Sequence, residues 1–296
     1  MEKCKIFFSA IILIVLLPVL ITIFMQPEGT FLPGGQNGEI QEEELLCQLV
    51  MQQISLDSEP EAIKAQTVIA RTMVLSGQER KEDIKENGEL KRHLGEEKYA
   101  YEINRVLDYI EETKGAVLTV GKGEYIDAAY HAVSAGTTRN AKEIYEKESL
   151  DYLTAVSSKG DLLSPDYLRV YWFEKKDFAN KLANLTADEP TGITEENVMQ
   201  QLQVVTYDSA RYVTEIQVGT KRMTGEEFRK SLNLASACFA VSECDGKIRI
   251  VTKGLGHGFG LSQYGANTLA AEGMGWREIL KYYYPQVNIS EETGSY

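Results

Sequence analysis

Apolar and polar positions change period several times along this chain, and each change predicts an element. An uncharged run from Ile6 to Met25 follows Lys3 and Lys5. At about 20 residues it is long enough to cross a bilayer. The flanking lysines put the N-terminus in the cytoplasm and everything after Gln26 outside. A cleaved signal peptide is the rival reading, but the run is long for one and shows no small-x-small cleavage site. We therefore expect an anchor over 1–26, followed by a Gly/Pro-rich linker over 27–38. Helices are expected from Glu42 to Met51 and from Pro60 to Leu75. In the second, Pro60 suits the first turn, and Ile63, Thr67, Ala70 and Val74 share one face. The charged run from Gln78 to Lys98 reads as a solvated helical face and loop, with His93 exposed.

From Ala116 the period shortens to two. "AVLTVGKGEYIDAAYHAV" (116–133) alternates around Gly-Lys-Gly and predicts a hairpin. "DYLTAVSS" (151–158) and "DYLRVYWF" (166–173) predict two more strands, followed by a short helix holding Phe178 and Leu182. "QLQVVTYDSARYVTEIQVG" reads as strand, turn, strand. "TGEE" from Thr224 is a capping box opening a helix to Leu232. "CFAVSECDGKIRIV" predicts a hairpin turning at Asp245-Gly246, and helices from Ser262 to Glu272 and Trp276 to Tyr283 close the chain. Helices and strands mix without regular alternation, so the fold class is α+β, with short antiparallel strands and a possible subdomain over 166–253.

Composition changes this picture little, because 43% hydrophobic and 25% charged residues are ordinary for a globular chain. A net charge of −13 without a basic patch argues against nucleic acid as a partner. Uncharged or cationic polymers, sugars included, stay open. The four cysteines form no disulfide framework. Cys238 and Cys244 share one predicted strand, about 20 Å apart, too far for a bridge.

Three stretches carry candidate chemistry. "GLGHGFGLSQYGA" (254–266) follows a strand and precedes a helix, so its amides could face a ligand, yet it lacks the Gly-Lys-Ser/Thr ending of a phosphate loop. It also reads as a tight structural turn with His257 buried and satisfied. "YHAVSAGTTRN" (130–140) runs out of a strand into a hydroxyl-rich loop that suits sugar hydroxyls or simply a well-bonded turn. A nucleophile pair of Ser134 with His131 or His257 lacks a carboxylate orienter fixed by sequence, and a metal site on the two histidines lacks further ligands at diagnostic spacing. In "EAIKAQTVIART" (61–72), Arg71 is a cation in Ala-rich packing and calls for a carboxylate or ligand partner.

Together, "EAIKAQTVIART", "YHAVSAGTT" followed by "YLTAVSS", and "GHGFGLSQYGA" followed by "ILKYYYP" resemble the stage II sporulation protein D family, which shares its domain with amidase enhancers. The resemblance runs from about Glu43 to Val287 and implies one domain over 39–290. It implies a membrane-anchored lytic transglycosylase, extracytoplasmic apart from its N-terminus. Such a protein cuts peptide-stripped glycan strands of peptidoglycan during engulfment, alongside a cell-wall amidase and other engulfment membrane proteins. The family acid protonates the glycosidic oxygen, and its conjugate base helps the muramic 6-hydroxyl attack the anomeric carbon, leaving a 1,6-anhydro end. That acid lies eight residues before the Glu-Ala-Ile-Lys-Ala-Gln run, and here the position is Gln53; Glu43 and Glu44, where the family often has a Glu-Glu pair, support the same register. Glutamine has no proton to deliver, and general acid–base catalysis is worth about 10²–10⁴ in rate. Asp57 or Glu59 could substitute, although each also reads as an ordinary acid at a helix N-terminus. By resemblance, Gln53, Arg71 and His131 hold the catalytic positions, and Tyr130, Ser134, Thr137, His257, Ser262, Gln263 and Tyr264 line or brace the groove. Some relatives hold a metal through cysteine or extra histidine near the His131 loop. Ser134 and Thr137 stand there instead, so neither metal nor cofactor is expected. Two readings remain: a transglycosylase with an atypical acid, and a non-catalytic glycan-binding scaffold that recruits or stimulates an amidase.

Overall fold

Pro60–Leu75 forms helix α2, with the proline in its first turn as its fixed φ requires. The expected single apolar face is not what the helix presents. Ala62, Ile63 and every residue from Ala65 to Thr72 are buried, so α2 runs through the middle of the molecule. It packs against helix α4 (Glu96–Glu112), helices α7 (Gln263–Ala271) and α8 (Trp276–Tyr283), and strand β1 (Ala116–Val120). The polar side chains caught inside have to find partners. Thr67 and Thr72 donate to the carbonyls of Ile63 and Val68. The Thr72 hydroxyl also accepts from the Leu118 amide at 3.0 Å.

The computed structural model describes residues 38–292, apart from 81–83, 85–86, 146 and 187–191. The expected anchor over 1–26 and the linker up to residue 37 lie outside the described residues. Among the described residues no helix is long and apolar enough to cross a membrane. From Glu42 onward the chain is one compact unit with two main hydrophobic cores.

The first core gathers α1 (Gly38–Gln53), α2, α4, α7 and α8 over a three-stranded antiparallel sheet, in which β1 lies between β2 (Glu124–Tyr125) and the last strand, β11 (Asn288–Glu291). Sequence patterning missed two of these elements. Tyr99, Glu102, Val106 and Ile110 mark the buried face of α4 at helical spacing, but the charged run ahead of it, which holds the short helix α3 (Gly88–Leu94), masked that signal. β11 carries only half-buried Ile289 and Ser290 between exposed ends, which is too little alternation to stand out.

The second core lies between residues 171 and 250. Strands β4 (Leu168–Glu174), β9 (Lys247–Lys253) and β8 (Phe239–Cys244) form one antiparallel sheet in the order β4-β9-β8. Strands β5 (Leu202–Tyr207), β6 (Val213–Val218) and β7 (Lys221–Thr224) form another. Helices α5 (Lys175–Leu185) and α6 (Gly225–Ser231) bury Phe178, Leu182 and Phe228 against them. Thr224 and Glu227 form the expected capping box. The turn at Asp245 and Gly246 has positive φ at both residues, as the twist of a two-residue hairpin requires.

Two strand expectations are corrected. Residues 151–158 are not a strand: the carbonyls of Leu153 and Val156 accept from Ala141 and Thr138 in a loop, and Thr137 opposite Ser157 is an isolated bridge. The expected hairpin closes only through β2, because β3 (Tyr130–His131) leaves to pair with β10 (Leu261–Ser262), and that pairing is parallel.

Arg139 joins the two halves. It is 1% exposed, bonds Asp208 at 2.6 Å and Glu226 at 3.3 Å, and lies 4.7 Å from the ring centroids of both Tyr212 and Phe259. Removing one member of a buried pair strands the other. Arg139→Ala is therefore expected to cost about 3–5 kcal/mol in chemical denaturation. Arg277→Ala, at an exposed pair with Glu291, should cost no more than about 1 kcal/mol.

Candidate functional site

The two loops singled out by sequence meet, although roughly 120 residues separate them. The glycine loop runs from Gly254 to Gly260 and holds positive φ at every second residue. At all four of these positions there is also no room for a side chain. A Cβ on Gly256 would sit 2.8 Å from that of His131, and one on Gly260 would lie 1.9 Å from the Ala129 carbonyl oxygen. The loop therefore lies directly on β3 and its flanks. Arg139 fixes it from behind: its amide donates to the Gly258 carbonyl at 2.8 Å and its guanidinium to the His257 carbonyl at 3.2 Å.

Asp161 ties the same two loops together on the other side. Fully buried, it accepts from the Ser134 amide and from the Ser262 hydroxyl, each at 2.8 Å. Burial raises its pKa above the usual carboxylate value, against the pull of these donors. Ser262 is the N-cap of α7, accepting from the Gly265 amide. Ser134 is fully buried, and its hydroxyl accepts from the Gly136 amide. Both serines are thus structural joints rather than cleft-lining groups. Thr137 likewise lines neither of the two clefts described below.

His131 and His257 are neighbours, with ring centroids 5.8 Å apart. His131 Nδ1 lies 3.0 Å from the Phe259 carbonyl and is therefore its protonated nitrogen. Among the described residues His131 Nε2 is buried without a hydrogen-bond partner, and no hydrogen bond links this ring to Ser134. His257 Nδ1 accepts from the Phe259 amide at 3.1 Å. Burial and its neighbour His257 push the His131 pKa down to about 3. Burial, then Arg229 and Arg139, push that of His257 down to about 4. Among the described residues no group of three or more His, Cys, Asp or Glu side chains converges as metal ligands would.

Two open clefts flank this junction. The first, about 620 Å³, is walled by Met73, Tyr130, Tyr145, His257 and Phe259, with Asp127, Glu226, Arg229 and Lys230 at its edge. The second, about 310 Å³, is walled by Ile54, Asp57, Asp166, Gln263, Tyr264 and Asn267. Gln53 touches a wall of each. Its amide nitrogen lies 3.8 Å from the Met73 sulfur, and its backbone carbonyl accepts from Gln263 at 2.7 Å. Its side-chain oxygen accepts from Gln66 at 2.8 Å, and Gln66 in turn accepts from Gln263 at 3.2 Å. Three glutamines from α1, α2 and α7 form one hydrogen-bonded cluster.

Arg71 is not brought to this place. It is 2% exposed and donates to the carbonyls of Ile110, Thr113 and Ala116. Carbonyl oxygens at the end of α4 and the start of β1 are among the partners this buried cation finds. Glu59 is the N-cap residue of α2, its amide bonded to Asn267. Three residues central to the site escaped the sequence reading: Gln66, Arg139 and Asp161. Gln66 and Arg139 stand inside the quoted motifs, where a polar residue among buried neighbours was the available signal. Asp161, in an ordinary Ser-Lys-Gly-Asp loop, gave none.

The arrangement is that of a two-core α+β protein whose glycine-rich and Tyr-His loops are locked together above open, aromatic-walled clefts. A family profile described as "Stage II sporulation protein" matches residues 36–120. The stage II sporulation protein D of Bacillus amyloliquefaciens is 32% identical, over 84% of this chain and 74% of that protein. Its Bacillus subtilis namesake is 31% identical, again over 84% and 74%. A B. subtilis protein named amidase enhancer is 26% identical, over 78% of this chain and 38% of its own length. The chain belongs to the stage II sporulation protein D family, a family of sporulation proteins.

The sign of the histidine effect follows from the lowered values. An unfolded imidazole takes its proton near pH 6.5, whereas the buried rings resist it. Their contribution is complete above about pH 6.5 and is lost as the pH falls from there toward the folded values of about 4 and 3. Histidine ring proton resonances of the folded protein are expected to hold still for His131 and His257 between pH 8 and 5.5. Asp161→Ala should cost about 3 kcal/mol, read by thermal or chemical unfolding, because it leaves two buried donors unmatched.

Proposed function

We propose that this chain binds peptide-stripped glycan strands of peptidoglycan during sporulation and supports a cell-wall amidase rather than cutting the strands itself. Residues 1–26 would anchor it, with the main domain outside the membrane. Family membership and the relative named amidase enhancer support this setting. Aromatic walls offer faces on which the CH surfaces of sugar rings pack, and Gln263, Tyr264 and Asn267 offer short neutral hydrogen-bonding groups.

One observation carries the non-catalytic half of the reading. Gln53, at the position of the family acid by resemblance, is an amide whose oxygen and backbone are held by Gln66 and Gln263. It keeps the shape of a glutamate while offering no acidic proton, which removes about 10²–10⁴ of rate. The bond from Gln66 would be accepted equally by a glutamate oxygen, so the cluster leaves room for the acid that Gln53→Glu restores.

A second reading rests on Asp57, which lines the same cleft as Gln263 and Tyr264. As acid it would protonate the glycosidic oxygen. Its carboxylate would then take the proton of the muramic 6-hydroxyl as that oxygen closes on the anomeric carbon.

The full-length chain incubated with stripped strands, with products read by mass spectrometry, separates these readings. We expect no 1,6-anhydro ends from the wild type and a gain with Gln53→Glu. Anhydro products from the wild type that vanish in Asp57→Asn would establish the second reading instead.

A further inference from the structure

The sheet of β4, β9 and β8 has one face in the second core and one in water. Tyr171, Phe173, Ile248 and Ile250 point inward. Between them, Leu168, Val170 and Trp172 are 55%, 52% and 52% exposed, a contiguous apolar row of the kind a soluble surface seldom shows without a use. The register sets them opposite Lys253, Val251 and Arg249, and Arg249 opposite Ser242. Lys247, next on the same face, is paired with Glu174. Arg249 donates to the Ser242 hydroxyl at 3.3 Å, and neither it nor Lys253 has a carboxylate partner among the described residues. On a chain of net charge −13 this face is locally cationic.

The row also begins at a cleft. Ser164, Pro165 and Asp166 line the second cleft. Leu163 beside them is 78% exposed, and its carbonyl accepts from the hydroxyl of Tyr264 at 3.3 Å. Two residues after Asp166 the chain enters β4.

We propose that the outer face of this sheet continues the path of the glycan strand beyond the second cleft, forming an additional binding surface for an anionic, peptide-stripped polymer. This rests on the glycan reading above. Once its peptide is removed, every muramic acid carries a free lactyl carboxylate, so charge recurs at alternate sugars. Arg249 and Lys253 lie four positions apart on one strand, about 13 Å, and offer two separated cations to such carboxylates. Trp172 gives an indole face for a sugar ring, and Leu168 and Val170 give an apolar floor. A second copy of this chain fits poorly face to face, because like cations would meet.

The test compares the full-length protein binding tetrasaccharide fragments and long stripped strands, for the wild type, Trp172→Ala and the pair Arg249→Ser with Lys253→Ser. All three substituted positions are surface sites, and unchanged thermal unfolding verifies the fold. We expect the wild type to prefer long strands and each variant to lose roughly tenfold on them, with tetrasaccharide binding unchanged. The loss in the charge variant should disappear on strands whose carboxylates have been reduced to alcohols. Variants that bind long strands like the wild type overturn the proposal. So do variants that keep strand binding but lose retention on a purified cell-wall amidase or on phosphatidylglycerol vesicles, since the face would then belong to a protein or a membrane. A wild type that binds neither length removes the glycan reading itself; binding of tetrasaccharides without any length preference removes only the extension.

Discussion

Burying a helix on every side is the constraint from which most of this structure follows. An Ala-rich α2 can be surrounded by α4, α7, α8 and β1 because its small side chains let neighbours approach. Each polar group it carries inward must then be answered by a partner, since an unanswered one costs about 1–3 kcal/mol. The threonines turn back on their own helix. Arg71 collects the end of α4 and the start of β1. Gln66 reaches Gln53 on one side and Gln263 on the other. The stations along one helix thus set where the walls of the second cleft stand, and the same burial that builds the core aligns the candidate site.

A second set of locks acts at the loops. Asp161 gathers Ser134 and Ser262, and Arg139 gathers Asp208, Glu226 and the His257 carbonyl. Two buried charges of opposite sign thus hold the glycine loop from two sides. The imidazoles caught between are kept neutral by the lack of water, which suits positioning and hydrogen bonding more than charge stabilisation.

How far the sequence could be read depended on whether a residue's partner was local. The α2 boundaries, the capping box at Thr224 and the turn at Asp245-Gly246 are decided within a few residues, and each stands as expected. Residues 151–158 alternate like a strand but find only loop partners, and no local pattern reports that. The glycine loop and the Tyr-His loop were visible as motifs, yet their joint, Asp161, was not, because its meaning lies entirely in Ser134 and Ser262. Arg71 is a cation in apolar packing whose partners include the carbonyls of Ile110, Thr113 and Ala116, distant in sequence and invisible to a local pattern. Ser134 and Ser262 stood out in the sequence as groove residues, while their full burial makes them joints rather than cleft walls.

The pairing of β3 with β10 has a consequence in time. Its partners are Tyr130 with Leu261 and His131 with Ser262, and the second core is threaded between them. A chain made from its N-terminus completes the second sheet system before its last segment can close the site. Until α7 and α8 arrive, the interior-facing side of α2 has no cover, and the stretch that holds Tyr130 and His131 has no strand beside it. The molecule is therefore a late closer, in which the final forty or so residues act as a keystone. A nascent chain halted shortly before Leu261 would carry a finished second core beside an open, sticky first one.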